Sequence, residues 1–380
     1  MIRKEIIELR KELHRHPELS GQEFETAQRI GHFIEKHHPT TLLQNIGGTG
    51  TAAVYTFSES GPTITIRCEL DALPIEESNQ FAHRSTKEGI SHKCGHDGHM
   101  AIVAGLVFWI KEQTFNSGKI ILLFQPSEEN GKGAESVIHD DNFRALETDY
   151  IFALHNIPQE PLGTIITMAS GFSAEVQSFI LSVKGKESHA AEPEKGINPS
   201  LAIADLINTL SKMNNNKPHD DDFTVLTPVH INMGQKSYGI SPAHGELHYT
   251  MRSWATDKME TLKAKVVETI KKSCASHKLE FQLEWLEYFP ASRNDVECNN
   301  HVIRAAKENN FELTERPYPF KFGEDFGWYA KQYNCAMFGI GAGMETPALH
   351  NAQYDFPDEI LGTGIAMFTK IIENILTQNT

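Results

Sequence analysis

Cysteine, positive charge and long apolar runs are all scarce in this sequence of 380 residues, and each scarcity excludes something. The five cysteines (Cys68, Cys94, Cys274, Cys298, Cys335) are odd in number and widely scattered, which excludes the dense disulfide framework of a small secreted scaffold. A reducing compartment is expected. The 35 Lys and Arg are outnumbered by 50 Asp and Glu, and the net charge of −15 argues against a nucleic-acid or anionic-membrane footprint. No run approaches the ~18 apolar residues of a membrane span, and Met1 to Arg10 (MIRKEIIELR) lacks the apolar core of a signal peptide. The protein is therefore expected in the cytoplasm, with a small molecule as its partner and neither nucleic acid nor membrane. Internal repeats and low-complexity segments are missing too. Histidine, by contrast, is plentiful: 19 imidazoles, each a potential metal ligand and an acid or base near neutral pH.

At roughly 150 residues per domain, the length suggests two domains or one with a large insertion. Ile2, Ile6, Leu9 and Leu13 repeat at helical spacing up to Pro17, and Ser20 to Glu23 reads as a capping box before a helix carrying Phe24, Ala27, Ile30 and Ile34. Thr63 to Cys68, Ile120 to Phe124, Tyr150 to Leu154 and Cys335 to Ile340 are short runs, nearly all apolar, as in strands covered on both faces. A helical pattern from His99 to Lys111 falls between them, so the expected class is α/β with a central, mostly parallel sheet. The middle of the chain differs. There, strand patterns at 175–185, 223–233, 245–254 and 278–285 alternate with helical ones at 199–213 and 256–275 in the order β-α-β-β-α-β, the ferredoxin-like motif. Residues 172–289 are expected to form an inserted α+β satellite domain, and 1–171 with 290–380 the catalytic domain.

Chemistry-bearing residues cluster where the buried strands end. Thr63 to Cys68 leads into Glu69-Leu70-Asp71, Ile120 to Phe124 into Gln125-Pro126-Ser127-Glu128-Glu129, and Tyr150 to Leu154 into His155-Asn156. In open α/β sheets the ligand crevice lies just beyond the carboxyl ends of the strands, so these segments should converge. Cys94-Gly95-His96-Asp97-Gly98-His99 and Leu349-His350-Asn351 join them. Taken singly, His155 reads equally as a hydrogen-bonded structural histidine, and Glu128-Glu129 as a solvated turn. The Cys94 to His99 stretch is harder to explain without a metal, its two glycines allowing close backbone approach. In Gly245 to Trp254, Leu247, Tyr249 and Met251 alternate with His248, Thr250 and Arg252, which leaves Arg252 on the open face. It would there be either a bidentate clamp for a carboxylate or half of an exposed cross-strand ion pair.

The sequence resembles the amidohydrolase branch of the dinuclear-metal aminoacylase and carboxypeptidase family (metallopeptidase family 20, subfamily D), which includes hydrolases of hippurate, auxin conjugates and other N-acyl amino acids. Seven stretches carry the resemblance in family order: His16-Pro17-Glu18-Leu19, Asp71-Ala72-Leu73-Pro74-Ile75-Glu76, Cys94 to His99, Gln125 to Glu129, Leu154-His155-Asn156, Ser188-His189-Ala190-Ala191, and Leu349-His350-Asn351 with Tyr354-Asp355-Phe356. It implies a zinc-peptidase-like catalytic domain and two divalent metal ions, Zn or Mn with Co or Ni as alternatives, held by Cys94, His96, Glu129, His155 and His350. Cys94 would bridge them as a thiolate. Glu128 would be the general base, on the reasoning that neighbours in extended chain point opposite ways, so Glu129 faces metal and Glu128 substrate. Asp71 would orient the site from behind a ligand histidine. His189 resembles a histidine that reaches across a dimer into the partner's site, and without the resemblance it reads as a surface-loop histidine. Arg252 falls on the strand that carries a substrate-binding arginine.

The implied activity is metal-assisted hydrolysis of the amide of a small N-acyl amino acid or short peptide by a homodimer or higher homo-oligomer built through the inserted domain. Rival readings are a dipeptidase or aminopeptidase, and a silent metal-binding homologue. Two departures bear on detail. Glu69 stands where the branch generally has Asp, and Gly239-Ile240-Ser241-Pro242 stands where Asn-Val-Ile-Pro is common. Cys68 and Cys335, in apolar strands, read as structural.

Overall fold

The computed structural model describes residues 2–169 and 171–378. It divides into two compact units, one of residues 1–172, 292–317 and 324–380, the other of 173–291 with 318–323. Residues 318–323 therefore pack with the inserted segment although they lie beyond its expected end. Ser170, beside the expected boundary at 171, lies outside the described residues.

The first unit begins with helices α1 (Lys4–Arg15) and α2 (Phe24–Glu35), then strands β1 (Thr41–Ile46), β2 (Gly50–Thr56) and β3 (Thr63–Glu69). Helix α3 (His96–Gly105), β4 (Lys119–Gln125), β5 (Tyr150–Ile157) and β6 (Ile165–Thr167) follow. The second unit holds β7 (Glu175–Lys184), β8 (Ser188–His189), α4 (Ser200–Ser211), β9 (Thr224–Met233), β10 (Ile240–Ser241), β11 (His244–Ser253), α5 (Thr256–Ser276) and β12 (Glu280–Phe289). The chain then returns to the first unit with α6 (Val296–Glu308), β13 (Leu313–Glu315), β14 (Asn334–Gly341) and α7 (Leu361–Gln378).

In the first unit an eight-stranded sheet runs in the order β1-β2-β4-β3-β5-β14-β6-β13. Its centre, β4-β3-β5-β14, is parallel. Every residue of β3 is buried, Arg67 and Glu69 included, and α1, α3 and α7 pack their apolar residues against one face of the sheet. Four parallel strands end on the same side, so Glu69, Gln125, His155 and Gly341 share one end of the sheet. The sequence expectation of no membrane-length apolar segment needs correction: Asp358–Thr377 is long and apolar enough by composition, with 56% of that window buried. Its Phe368, Ile371 and Ile372 are fully buried in the core of this unit.

The second unit is a four-stranded antiparallel sheet in the order β12-β7-β11-β9, the ferredoxin-like arrangement. Helices α4 and α5 bury Leu206, Leu210, Val266 and Ile270 against Leu247, Tyr249 and Met251 of β11. The alternate residues of β11, Glu246, His248, Thr250 and Arg252, are only half-buried.

The expected capping box does not form. Glu23, itself the residue before α2, makes no cap bond to that helix; its carboxylate accepts from Gly21 N, Thr49 Oγ1 and Ser127 N, while Ser20 Oγ donates to Asp71 at 2.7 Å. Tertiary partners outbid the local cap, and both side chains serve the neighbourhood of the sheet's carboxyl end.

Candidate metal centre

Helix α3 starts at His96, three residues before the sequence pattern suggests, because Gly95 turns the chain in the left-handed region (φ +101°). A Cβ at Gly95 would sit 2.6 Å from the Asn156 amide, and one at Gly98 would sit 2.3 Å from the Phe356 ring. Both glycines are thus needed for close approach. The first turn points His96 and Cys94 one way and Asp97 the other.

Cys94, His96 and His155 each offer a ligand atom within 4.8 Å of the others, and so do Cys94, Glu129 and His350. Cys94 is common to both sets, the arrangement a bridging thiolate between two cations requires. Its Sγ lies 3.5 Å from His155 Nε2, His96 Nε2 is 3.8 Å from Glu129 Oε1, and His350 Nε2 is 3.8 Å from Glu129 Oε2. His96 Nε2 and Glu129 Oε1 are buried without a hydrogen-bond partner among the described residues. Buried polar atoms are normally satisfied, so two aimed at one spot beside a thiol and two further imidazoles fit a divalent cation pair. His350 itself has φ +65°, a strained conformation for a histidine.

The hydrogen bonds behind these candidate ligands fix which ring nitrogen faces inward. His96 Nδ1 bonds the main-chain oxygen of Asp71 at 2.9 Å, and His155 Nδ1 bonds that of Asn156 at 2.8 Å. Asp71 was expected to orient a histidine through its carboxylate; its Oδ1 lies 3.6 Å from His96 Nδ1, and its Oδ2 instead takes Ser20 Oγ and, at 3.0 Å, the N–H of Glu129. The carboxylate thereby steadies the turn that carries Glu128 and Glu129.

That turn corrects a second expectation. Glu128 and Glu129 are not in extended chain: Ser127 takes φ +56°, and Gly131 N donates to Glu128 O at 2.8 Å. The two carboxylates therefore approach the same imidazole, Glu128 Oε2 at 3.9 Å and Glu129 Oε1 at 3.8 Å from His96 Nε2. Burial, then Glu324, Glu129 and Asp325, push the Glu128 carboxyl well above its ordinary range. Burial likewise raises Glu129, to about 7, with His96 opposing. Burial raises the Cys94 thiol, and the carboxylates of Glu129 and Glu128 raise it further. So concentrated a field of carboxylates favours cations.

Several supporting residues escaped the sequence reading. Arg67, fully buried in β3, pairs with Glu69, with Asp325 at 2.7 Å and with Glu324 at 3.1 Å. Glu69, the residue longer than the usual Asp, also bonds His99 Nδ1 at 2.6 Å, and His99 Nε2 reaches Asn156 at 2.5 Å, which accounts for His99 without a metal. On the other side of α3, Asp97 bonds His14 at 2.9 Å and Arg10 at 3.3 Å. Nothing in the sequence marks Glu324 and Asp325, which lie in a loop; the buried Arg67 was a signal that carboxylates had to face it.

His189 and Arg252 belong to the second unit. His189 is exposed on β8, which pairs with β10 so that His189 stands opposite Ile240, and Ala190 N donates to Gly239 O at 2.9 Å. The divergent Gly239–Pro242 segment is thus the direct neighbour of His189. Ala191 N donates to His189 Nδ1 at 3.0 Å, which leaves the ring proton on Nε2. Arg252 forms no cross-strand ion pair among the described residues; Nη1 donates to Lys321 O at 2.5 Å.

Residues 65–374 match peptidase family M20/M25/M40. N-acetyl-L-cysteine deacetylase of Bacillus subtilis (strain 168) is 32% identical over 345 residues, 89% of this chain and 81% of that protein. Hippurate hydrolase of Campylobacter jejuni is 27% identical over 371 residues, 97% of this chain and 95% of that protein. Among solved structures, the Bacillus subtilis YXEP protein, described as a dinuclear metal binding peptidase, superposes over 98% of both chains with a TM-score of 0.83 at 26% identity.

Proposed function

The chain belongs to peptidase family M20/M25/M40 and is a metal-dependent amidohydrolase, and from that premise we propose that it cleaves the amide bond of small N-acyl amino acids. The observation that supports the reading is Cys94 shared by two candidate ligand sets, with Glu128 beside them, its carboxylate 3.9 Å from His96 Nε2 and, among the described residues, accepting one hydrogen bond, from the main-chain N–H of Asp325 at 3.4 Å. Its relatives named for N-acetylcysteine and hippurate support a carboxylate-bearing amino-acid half and an acyl half.

Cys94, His96, Glu129, His155 and His350 would hold two divalent cations, Zn or Mn, with Co or Ni as alternatives, and these supply Lewis-acid polarisation of the acyl carbonyl and a water of lowered pKa. Glu128 takes the proton of the attacking water on its carboxylate and delivers it to the leaving amine nitrogen, a shuttle suited to a carboxyl whose pKa is raised. Asp71 holds the Glu129 main chain still during this exchange. His189 Nε2–H serves as donor to the developing oxyanion, and Arg252, with one N–H spent on Lys321 O, retains others for the substrate carboxylate.

His189 acts in a partner's site, in a homodimer formed through the inserted unit. Edge strand β9 supports this: beyond its start, where Thr224 bridges Asn215 and Leu226 N donates to Asn214 Oδ1, no strand pairs with its outer edge among the described residues, and it leaves Val229, Ile231 and Met233 exposed. The five free cysteines support a reducing, cytoplasmic setting.

The test is a hydrolysis panel of N-acetyl and N-benzoyl amino acids and dipeptides, with Zn, Mn and Co supplied separately. Cleavage of dipeptides alone would overturn the substrate class. Glu128→Gln should lower kcat by ~10²–10⁴-fold with metal content unchanged; wild-type rates in that variant would remove Glu128 from the mechanism.

A further inference from the structure

Two neighbouring strands of the inserted unit carry a cluster that the reaction does not use. His230 on β9 and His248 on β11 are direct register partners, and Glu246 precedes His248 by two residues on the same face. The imidazole centroids are 5.0 Å apart, and His248 Nε2 lies 2.8 Å from Glu246 Oε1. One ligand atom from each of the three residues falls within 4.8 Å of the other two. We propose that His230, Glu246 and His248 form a separate single-ion site for Zn²⁺ or a similar borderline divalent cation.

Two imidazoles and one carboxylate, with a fourth position left to water, is a donor set zinc accepts. Tetrahedral bonds of ~2.0–2.1 Å put ligand atoms about 3.3 Å apart, so side-chain rotation on a half-exposed sheet face closes the set without moving the backbone. The β9–β11 ladder slips its register between His248 and Tyr249, and such irregularities re-aim side chains locally. The local charge also suits a cation. Two of the other groupings of potential ligands already have a guanidinium: Arg10 fills the cluster of His14, Asp97 and Asp355, and Arg67 pairs with Glu69 beside His96 and His99. Glu246 has no Lys or Arg partner among the described residues, only His248. A bound ion would cross-link edge strand β9 to β11 and so stiffen the exposed edge of the sheet.

The experiment counts Zn²⁺ bound on titration of chelator-stripped protein, in the wild type and in His230→Ala and His248→Ala. Each variant should bind one equivalent fewer than the wild type while hydrolysing substrate at the wild-type rate. The readout is that difference of one, so it does not depend on how many ions the Cys94 centre takes. Glu246→Gln, which keeps the shape of the side chain, should weaken this equivalent at least roughly tenfold. Equal Zn²⁺ counts in wild type and both histidine variants would overturn the proposal and leave a hydrogen-bonded pair beside an edge-on imidazole contact.

Discussion

The two units place the side chains proposed to act in opposite ways. In the first, the proposed ligands come from a helix start, a turn, a strand end and a loop, and Cys94, His96 and His155 are buried. Most are steadied by hydrogen bonds to partners that are themselves buried and bonded. In the second, His189 is exposed on a two-residue strand and Arg252 leans on one carbonyl. The contrast separates two tasks. Binding cations in place requires donors paid for during folding, by desolvation and pairing, whereas reaching a substrate requires side chains that stay accessible.

The contrast is tested first by breaking the support beneath the buried centre. Arg67→Met leaves Glu69, Glu324 and Asp325 without their cation, and urea denaturation should show a loss of ~3–5 kcal/mol. A loss under ~1 kcal/mol would mean the network is not supporting the fold. Next comes the exposed side. His189→Ala should lower kcat by ~10²–10³-fold, the usual effect of removing one oxyanion donor, while metal content is unchanged and stability moves by no more than ~0.5 kcal/mol. An unaltered rate would return His189 to the role of a surface residue.

A pH experiment sharpens the difference further. Burial alone would lower the pKa of His14, but Asp97 and the hydrogen bond to Glu77 raise it from 6.5 to about 9. Its contribution to stability is therefore complete below about 6.5 and disappears as pH rises through about 9. Comparing the unfolding free energies of wild type and His14→Gln, the wild-type advantage should shrink by ~3 kcal/mol between pH 6 and pH 10. A gap independent of pH would show that His14 is neutral in the native state. The smallest effect is expected at Gly239, where an added Cβ would meet nothing within 4 Å. Gly239→Asn should leave stability within ~0.5 kcal/mol and change KM across the N-acyl panel more than kcat. Identical KM values would dissociate this segment from substrate choice.

Much of this architecture is readable from sequence because burial on both faces writes itself as apolar runs. Thr63 to Cys68 and Tyr150 to Leu154 need no tertiary information to be seen as central strands, and their ends locate Asp71 and His155. The edge strand β1 could not be found this way: TLLQNI mixes polar and apolar residues because only Ile46 is buried. β2, rich in Gly, Ala and Thr, is buried yet has little strand propensity of its own. Ser20 and Glu23 misled for a different reason, since their pattern is a sound local cap that distant partners redirected. Glu324 and Asp325 were illegible because a loop has no period, and only the three-dimensional position of Arg67 gives them a role.

One feature of the sheet has a bearing on how the protein is made. β14 lies between β5 and β6, both of which are synthesised before the inserted unit, whereas β14 is synthesised after it. Until β14 emerges, β5 presents an open edge flanked by apolar faces, the kind of surface that recruits stray strands or chaperones. His350 follows β14 closely, so the nascent chain completes the proposed ligand set at the same stage at which that edge is sealed.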